Sequence, residues 1–200
     1  MVEKFDELSQ EEIRNIVSIM RTSAINLYRL LGNLLEWSRM QRGLTTLIPL
    51  LYPLKPKILE STLLVMDMAN KKGITISYDI ADDLVVIADG NMFDGIIRNI
   101  VINAIKFTPN GGSIFISAAS ASENLVEISI RDTGIGMTQE MIDNLFRLDS
   151  NTGRKGTEGE YSTGLGLILC KDFIEKLKGS LWIESEVDNG STFRFTLPSK

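Results

Sequence analysis

Three polar side chains share one face of a predicted helix near the middle of the chain. Within RNIVINAIKFTPNGG, residues 98 to 112, Asn99 and Asn103 are four residues apart and Lys106 follows three residues later. Residues at this spacing lie on the same side of a helix. Amide oxygens are good hard ligands for Mg²⁺, and a lysine beside them suits phosphate. The spacing is equally common for polar residues on the solvent side of a half-buried helix, so this motif alone leaves both interpretations open.

An aspartate and two glycines come directly after a predicted strand. The segment DTGIGM, residues 132 to 137, follows the strand VEISIR. The glycines allow the backbone to turn tightly and to approach a ligand closely. Asp132, at the end of the strand, could accept a hydrogen bond from the amino group of an adenine. Taken alone, DTG favours a simpler explanation, which is a turn with an aspartate cap.

A second glycine-bearing segment begins a predicted helix. TGLGL, residues 163 to 167, contains Gly164 and Gly166, and the N–H groups at a helix N-terminus can bind phosphate. The spacing does not match a dinucleotide fingerprint, because the third glycine is missing and no strand immediately precedes the motif. It does not match a P-loop either, because no G-K-[ST] follows. The alternative is a glycine-rich start of a helix without a binding role.

Alternating helices and strands must position these motifs. A polar loop of 17 residues, 147–163, separates the last two of them, and a loop that long in a compact domain is usually functional or mobile. The mixture of elements predicts an α+β fold, a two-layer α/β sandwich. The predicted helices cover residues 57–72, 91–107, 138–145 and 165–177, and the predicted strands cover residues 74–80, 84–88, 113–119, 125–131, 180–185 and 192–197.

The first segment predicts one long helix with a heptad seam. Ser9 and Glu12 form a capping box at its start, and Gly43 is a natural stop. Such a helix is roughly 45–50 Å long at 1.5 Å per residue and cannot bury its seam in a small domain. We therefore expect it to pack against other helices, from a second copy of the chain. The alternative is an amphipathic helix lying on its own domain. The seam consists of Ile13, Val17, Met20, Ala24, Leu27, Leu31, Leu34 and Ser38, and Ile16, Ile19, Leu30 and Trp37 widen the apolar face.

A proline-rich segment separates the long helix from the rest of the chain. Residues 44–56 contain three prolines and several apolar residues, which predicts a hinge and a short edge strand. We place the domain boundary here, between residues 46 and 47.

Composition excludes several kinds of chemistry. The chain has 200 residues, a formal net charge of −5, one cysteine and no histidine. A nucleic-acid-binding protein normally has a basic face, so we expect no nucleic acid partner. Without histidine, Ser-His-Asp and Cys-His mechanisms are excluded, and a zinc site lacks ligands. No apolar run approaches the roughly 20 residues of a membrane-spanning helix.

Together and in this order, the motifs resemble the ATP-binding domain of sensor histidine kinases. NAIKF matches the N box of that family, DTGIGM the G1 box, Phe146 the F box and TGLGL the G2 box, and GSTFRFTLP is similar to the last strand. The helix ending in LLGNLLEWSRMQRGL resembles the second helix of the family's dimerisation hairpin. The resemblance implies a sandwich of the histidine kinase, gyrase and heat-shock chaperone ATPase type. It also implies a partial dimerisation domain, residues 1–46, and an ATP-binding catalytic domain, residues 47–200.

The resemblance implies ATP and Mg²⁺ as ligands and assigns roles to matching positions. Asn103 would hold Mg²⁺ with help from Asn99, and Lys106 would reach the phosphates. Asp132 would read adenine, and residues 147–163 would form the mobile ATP lid. Gly134 and Gly136 would line the adenine pocket, and Thr192 would contact adenine through water. Gly164 and Gly166 would lie at the triphosphate, and Arg154 and Lys155 would contact phosphate from the lid. The remaining implied positions within the motifs are Phe107, Met137, Thr163 and Leu165.

The residue four positions before Asn103 distinguishes two reaction types within this fold. Gyrase-type topoisomerases, heat-shock chaperones and mismatch-repair ATPases carry a glutamate there that activates water, whereas this chain has Asn99. An amide is not a useful base at neutral pH, so we expect direct ATP hydrolysis to be slow. Without a general base, the site can still position ATP and neutralise its charge. These two effects suit transfer of a phosphoryl group to a nucleophile from outside this chain.

The resemblance therefore implies a protein-histidine kinase of two-component signal transduction. The phosphoacceptor histidine would lie outside this chain, and we expect a fragment that does not phosphorylate itself. The implied partners are ATP, a second copy bound through the N-terminal helix, and the receiver domain of a response regulator. The implied location is the cytoplasm, either free or as part of a membrane-anchored receptor. The alternatives are a serine-directed kinase of the anti-sigma-factor type, which the long helix disfavours, and a non-catalytic nucleotide-binding or dimerisation module.

Overall fold

The structure, a computed structural model, divides into two compact units, residues 1–45 and 46–200. In the first unit it describes residues 9–14, 16–17, 20–21, 24, 27 and 31–32, and in the second unit residues 47–147, 154–160 and 164–200. The described residues from 10 to 32 are helical, and we call this helix α1. Several residues named above for this helix, Ile19, Leu30, Leu34, Trp37, Ser38 and Gly43, lie outside the described residues.

Helix α1 begins with the predicted capping box. The backbone N–H of Ser9 donates to Glu12 Oε2 at 2.8 Å, and the N–H of Glu12 donates to Ser9 Oγ at 3.3 Å. The described seam residues are all exposed, so a single chain leaves this apolar face open to solvent. They are Ile13 (40%), Val17 (58%), Met20 (66%), Leu27 (57%), Leu31 (56%) and Ala24.

Within residues 47–147, 154–160 and 164–200, seven strands form two sheets. They are β1 (Pro49–Pro53), β2 (Thr75–Ile80), β3 (Val85–Asp89), β4 (Ser113–Ser122), β5 (Leu125–Asp132), β6 (Leu181–Glu186) and β7 (Gly190–Pro198). The larger sheet has the order β2-β4-β5-β7-β6, with β2 parallel to β4 and the other pairs antiparallel. Strands β1 and β3 pair antiparallel in a separate two-stranded sheet. The predicted strands are confirmed, including the short one in the proline-rich segment.

Five helices accompany these sheets in the described part of the second unit. They are α2 (Leu54–Leu63), α3 (Met66–Lys71), α4 (Gly90–Phe107), α5 (Gln139–Asn144) and α6 (Leu165–Lys176). Helices α4 and α6 pack against each other and against the five-stranded sheet, as the predicted two-layer sandwich requires. The side chains between the layers are buried and include Phe93, Ile96, Ile100, Ile128, Phe173 and Phe195.

The prediction of a single helix over residues 57–72 is wrong, because α2 begins at Leu54 and the helix breaks before α3. Pro56 lies in the first turn of α2, where its missing N–H group is not needed. At the break, Ser61 Oγ donates to the Lys57 carbonyl and Thr62 Oγ1 donates to the carbonyls of the preceding turn. Hydroxyl groups that bond back in this way compete with the backbone pattern and bend helices.

Helix α4 carries the first predicted motif, and local interactions fix both of its ends. At its start, the Asp89 carboxylate accepts hydrogen bonds from the N–H groups of Asn91 and Met92. At its end, Thr108 is extended because it precedes Pro109, and the residue before a proline disfavours the helical conformation. The motif therefore lies on the last turns of a helix whose other face is buried in the core. No helix in the described ranges is long and apolar enough to cross a bilayer.

Candidate functional site

The C-terminal half of α4 presents two amides and a buried lysine. Asn99 and Asn103 are half-buried, whereas Lys106 is only 6% exposed. Burial disfavours the ammonium form and lowers the pKa of Lys106 to about 8, although the Glu160 carboxylate acts in the opposite direction. Lys106 Nζ lies 5.2 Å from the centre of the Phe107 ring. A lysine with so little hydration favours a bound anion more strongly than an exposed lysine does.

Asp132 is a buried carboxylate at the end of β5. It is 3% exposed, and its Oδ1 accepts hydrogen bonds from the N–H groups of Gly134 (2.8 Å) and Ser191 (3.2 Å). Burial raises the pKa of Asp132 to about 6, while the two backbone hydrogen bonds act to lower it. Both hydrogen bonds end on Oδ1, which leaves Oδ2 without a donor among the described residues. An unpaired oxygen on an otherwise buried carboxylate is suited to an amino group supplied by a ligand.

Ser191, which the sequence motifs did not indicate, is the residue of β7 whose N–H group donates to the Asp132 carboxylate. Thr192, the predicted residue, pairs with Arg131 of β5 in the sheet, and strand alternation puts its side chain on the opposite face from Ser191. In the sequence, the glycine that precedes Ser191 could have indicated that β7 approaches Asp132 closely. Gly190 has φ +82°, and a Cβ there would collide with the Asp132 carbonyl, so only glycine allows β7 to approach this closely.

The glycine turn after Asp132 packs against the end of α4. The N–H of Ile135 donates to the Phe107 carbonyl at 3.1 Å. Gly136 has φ +58° and lies against the Glu186 carbonyl, where a side chain would collide. Arg154 Nη1 donates to the Gly136 carbonyl at 2.8 Å, and the N–H of Met137 donates to Ser185 Oγ at 2.9 Å. Phe107 at the end of the first motif, the glycine turn of the second motif and Arg154 of the loop are therefore in contact.

The third motif lies against the Asn99 side chain of α4. Gly164 precedes α6 with φ +70°, a left-handed conformation that favours glycine. A Cβ on Gly166 would lie 3.2 Å from Asn99 Oδ1, so the absent side chain leaves space beside this amide. Leu165 is half-buried and Lys155 is exposed. Thr163 lies outside the described residues, so its predicted role stays a prediction.

The donor atoms at this site fit Mg²⁺. Asn99 and Asn103 offer hard amide oxygens, and Gly166 places no side chain against the Asn99 oxygen. In the described ranges, no three His, Cys, Asp or Glu side chains cluster as a metal site. A magnesium ion here would therefore complete its coordination with phosphate oxygens and water, as it does at nucleotide sites.

The fold and this arrangement of motifs define a protein of the two-layer ATPase class. The chain belongs to the histidine kinase-, DNA gyrase B-, and HSP90-like ATPase family, whose sequence profile matches residues 88–200. This confirms the family resemblance predicted from the boxes.

Among its relatives, the adaptive-response sensory kinase SasA of Gloeothece citriformis (strain PCC 7424) is 38% identical over 146 residues, which cover 72% of this chain and 37% of that protein. The chain thus spans less than half of this curated relative. The catalytic domain of histidine kinase ThkA is 29% identical with a TM-score of 0.66, covering 76% of this chain and 95% of that one. The alternatives of a serine-directed kinase and a non-catalytic module are not favoured, because these relatives are a sensory kinase and a histidine kinase.

A larger structure shares the fold over nearly the whole chain. Histidine kinase ThkA in complex with response regulator protein TrrA has a TM-score of 0.76 and 24% identity, covering 98% of this chain and 54% of that one.

Proposed function

We propose that the second unit binds ATP with Mg²⁺ and is the catalytic domain of a sensor histidine kinase. The observation that carries the proposal is the geometry of Asp132. Two backbone N–H groups hold its Oδ1, and its Oδ2 is left to accept a hydrogen bond from the adenine amino group. The family and the histidine kinases among the relatives support the same conclusion.

The other residues of the site bind the phosphates. Asn103, assisted by Asn99, would hold Mg²⁺, which when bound neutralises part of the triphosphate charge. Lys106 would contact phosphate, because an anion compensates an ammonium group that is poorly hydrated. The free N–H groups at the start of α6, after Gly164, would donate to phosphate oxygens.

Phosphoryl transfer then requires a histidine, which this chain lacks. An imidazole nitrogen forms a bond to the γ-phosphorus as the bond from that phosphorus to the β,γ-bridging oxygen breaks. ADP leaves with the electron pair, and the attacking imidazole loses its N–H proton to solvent. Neutral imidazole needs no strong base, which agrees with Asn99 standing where hydrolases have a glutamate. The chain's own residues orient the triphosphate and neutralise its charge.

The exposed seam of α1 suggests how the histidine is supplied. We propose that α1 packs with helices of a second copy, since five of its seam residues are 40–66% exposed. The histidine would lie on a further helix of the same bundle that is not part of these 200 residues, because this sequence contains no histidine. The phosphoryl group would then pass to the receiver domain of a response regulator, as the ThkA complex with its response regulator protein suggests. Such a kinase domain would act in the cytoplasm, where ATP is available.

Nucleotide titration of the chain tests the proposal. A non-hydrolysable ATP analogue is titrated with and without Mg²⁺ into wild type, Asn103→Ala and the control Asn124→Ala, which changes an exposed residue of the β4–β5 turn. Wild type and control should bind about tenfold more tightly with Mg²⁺, and Asn103→Ala should lose most of this difference. Equal binding with and without Mg²⁺ would contradict the metal site. Acid-labile phosphate on the purified chain after incubation with ATP would contradict transfer to an external histidine.

A further inference from the structure

The described part of the predicted lid, residues 154–160, is a compact turn. The N–H of Gly156 donates to the Glu160 carbonyl at 2.8 Å, and the N–H of Gly159 donates to the Gly156 carbonyl at 3.0 Å. Glu160 also accepts at Oε2 from the N–H of Glu158. The turn is attached to α4 through Thr157, whose N–H donates to the Lys106 carbonyl at 3.0 Å.

Lys72, which directly follows α3, connects this turn to the end of α4. Its side chain is buried, with 6% of the residue exposed. Nζ lies 2.9 Å from the Ile105 carbonyl oxygen, 2.6 Å from Thr157 Oγ1 and 3.3 Å from Glu160 Oε1. A cation at this position also interacts favourably with the negative end of the helix dipole. One ammonium group thus joins the helix that carries Lys106 to both anchoring residues of the turn.

The turn also determines the surroundings of Lys106. Gly156 packs against this side chain so closely that a Cβ would lie 2.6 Å from Lys106 Cγ. Glu160 is close enough to raise the pKa of Lys106 against the effect of burial. Burial opposes ionisation of Glu160 itself, but hydrogen bonds from backbone N–H groups and from Lys72 outweigh this effect and lower its pKa. A charged carboxylate is therefore held next to the lysine proposed to contact phosphate.

We propose that Lys72 is a positioning residue for the nucleotide site. Its ammonium group holds the turn of residues 154–160 against the end of α4 and pairs with Glu160, so that this carboxylate does not repel the triphosphate. The effect of Lys72 on ATP binding rests on the proposed function, whereas the anchoring of the turn by Lys72 is independent of it. None of the sequence motifs contains Lys72, and its partners in the turn are 85 and 88 residues away.

Limited proteolysis with trypsin, without nucleotide, tests the anchoring. The turn contains Arg154 and Lys155, and cleavage there requires the local backbone to open. Lys72→Met removes the ammonium group while keeping an aliphatic side chain. It should speed cleavage at these two residues about tenfold, the effect expected for losing hydrogen bonds of a buried charge. The matched control is Lys71→Met at the adjacent, exposed lysine, which should cleave at the wild-type rate. Equal rates in Lys72→Met and Lys71→Met would overturn the proposal.

Variants on the turn separate anchoring from general loss of folding. Glu160→Gln and Thr157→Val leave Lys72 and the core intact, and each should also speed cleavage after Arg154 and Lys155. Adding Lys72→Met to Glu160→Gln should give less than the product of the two separate effects, because the residues are in contact. Wild-type cleavage rates in both turn variants, or fully multiplicative effects, would overturn the proposed contact.

Ligand titrations then separate positioning from a purely structural role. Lys72→Met should weaken ATP binding about fivefold, because the unpaired Glu160 carboxylate would repel the triphosphate. It should leave adenosine binding unchanged, because adenosine has no phosphate. Equal weakening of both ligands would reduce Lys72 to a structural residue and overturn the positioning role. If wild type binds neither ligand while Lys72→Met still speeds cleavage, the proposed function fails and the anchoring stands.

Discussion

Burial of Asp132 is unfavourable for the fold, which is why this residue indicates function. A carboxylate that is 3% exposed with only two hydrogen bonds has lost hydration that these bonds do not replace. The two hydrogen bonds to Oδ1 fix the orientation of the carboxylate, and Oδ2 therefore points in a defined direction. Residues of this kind, with a pKa displaced by burial inside a site, are common where a ligand supplies the missing partner.

The raised pKa of Asp132 predicts a specific dependence of stability on pH. Between its ordinary pKa of 3.8 and about 6, the folded protein binds more protons at Asp132 than the unfolded chain does. The contribution of Asp132 to stability therefore falls as pH rises through this window and stays low above it. Asp132→Asn keeps an oxygen at Oδ1 but does not titrate. Its stability relative to wild type should rise by about 2 kcal/mol from pH 4 to pH 6 in urea denaturation. A difference that does not change with pH would contradict the assignment.

The motifs and the family resemblance pointed to the residues of the candidate site that lie within short segments, and they missed the residues that long-range contacts bring to it. Asp132, Gly136 and Asn99 were predicted because each lies in a short segment of recognisable composition. Ser191 was missed because its contribution is a backbone N–H group, which any residue at that register provides. Lys72 was missed because the sequence does not reveal that α3 ends beside the last turn of α4.

At the scale of elements, α4 connects the site to the rest of the domain. One face of α4 is buried in the core, and its other face carries the two amides. Its last carbonyl groups accept hydrogen bonds from the loops around the site. Its bounds were predicted well, because a proline follows its last turn. The division between α2 and α3 was not predicted, since it results from hydroxyl groups that bond back to the helix.

The cap of α4 can be tested separately from the binding residues. Asp89 accepts from the N–H groups of Asn91 and Met92 and from the N–H of Ile48 beside β1. Asp89→Ala should lower the free energy of unfolding by about 1–2 kcal/mol, the usual effect of losing an N-cap. Urea denaturation provides the measurement, with the exposed Asp83→Ala as the control. If the two variants are equally stable, the cap does not hold the helix.

At the scale of the whole molecule, the two units differ in how completely they bury their apolar residues. The second unit has a continuous core between sheet and helices, whereas the described seam residues of α1 are exposed in a single chain. The heptad spacing predicted this difference. The sequence could not indicate which helices cover the seam, because a heptad pattern specifies an apolar partner and not its origin.

The seam predicts that the chain associates with itself. Leu27→Glu introduces a charge at a seam residue that is 57% exposed in the single chain, so it should weaken association at least about a hundredfold. Leu63→Glu makes the same change at a leucine of α2 that is 69% exposed and lies outside the seam, and this variant should associate like wild type. Sedimentation over a range of concentrations measures both variants. Wild type that remains monomeric at high concentration would show that this helix does not dimerise by itself.

Discrimination between ATP and GTP tests most directly whether Asp132 reads adenine. The carboxylate accepts from the amino group of adenine, whereas guanine presents a carbonyl oxygen at the same ring position, which Asp132 would repel. In calorimetric titrations with Mg²⁺ at neutral pH, wild type should bind ATP at least about tenfold more tightly than GTP. Asp132→Asn should remain folded and lose this preference. Equal affinity of wild type for the two nucleotides, or an undiminished preference for ATP in Asp132→Asn, would contradict the account.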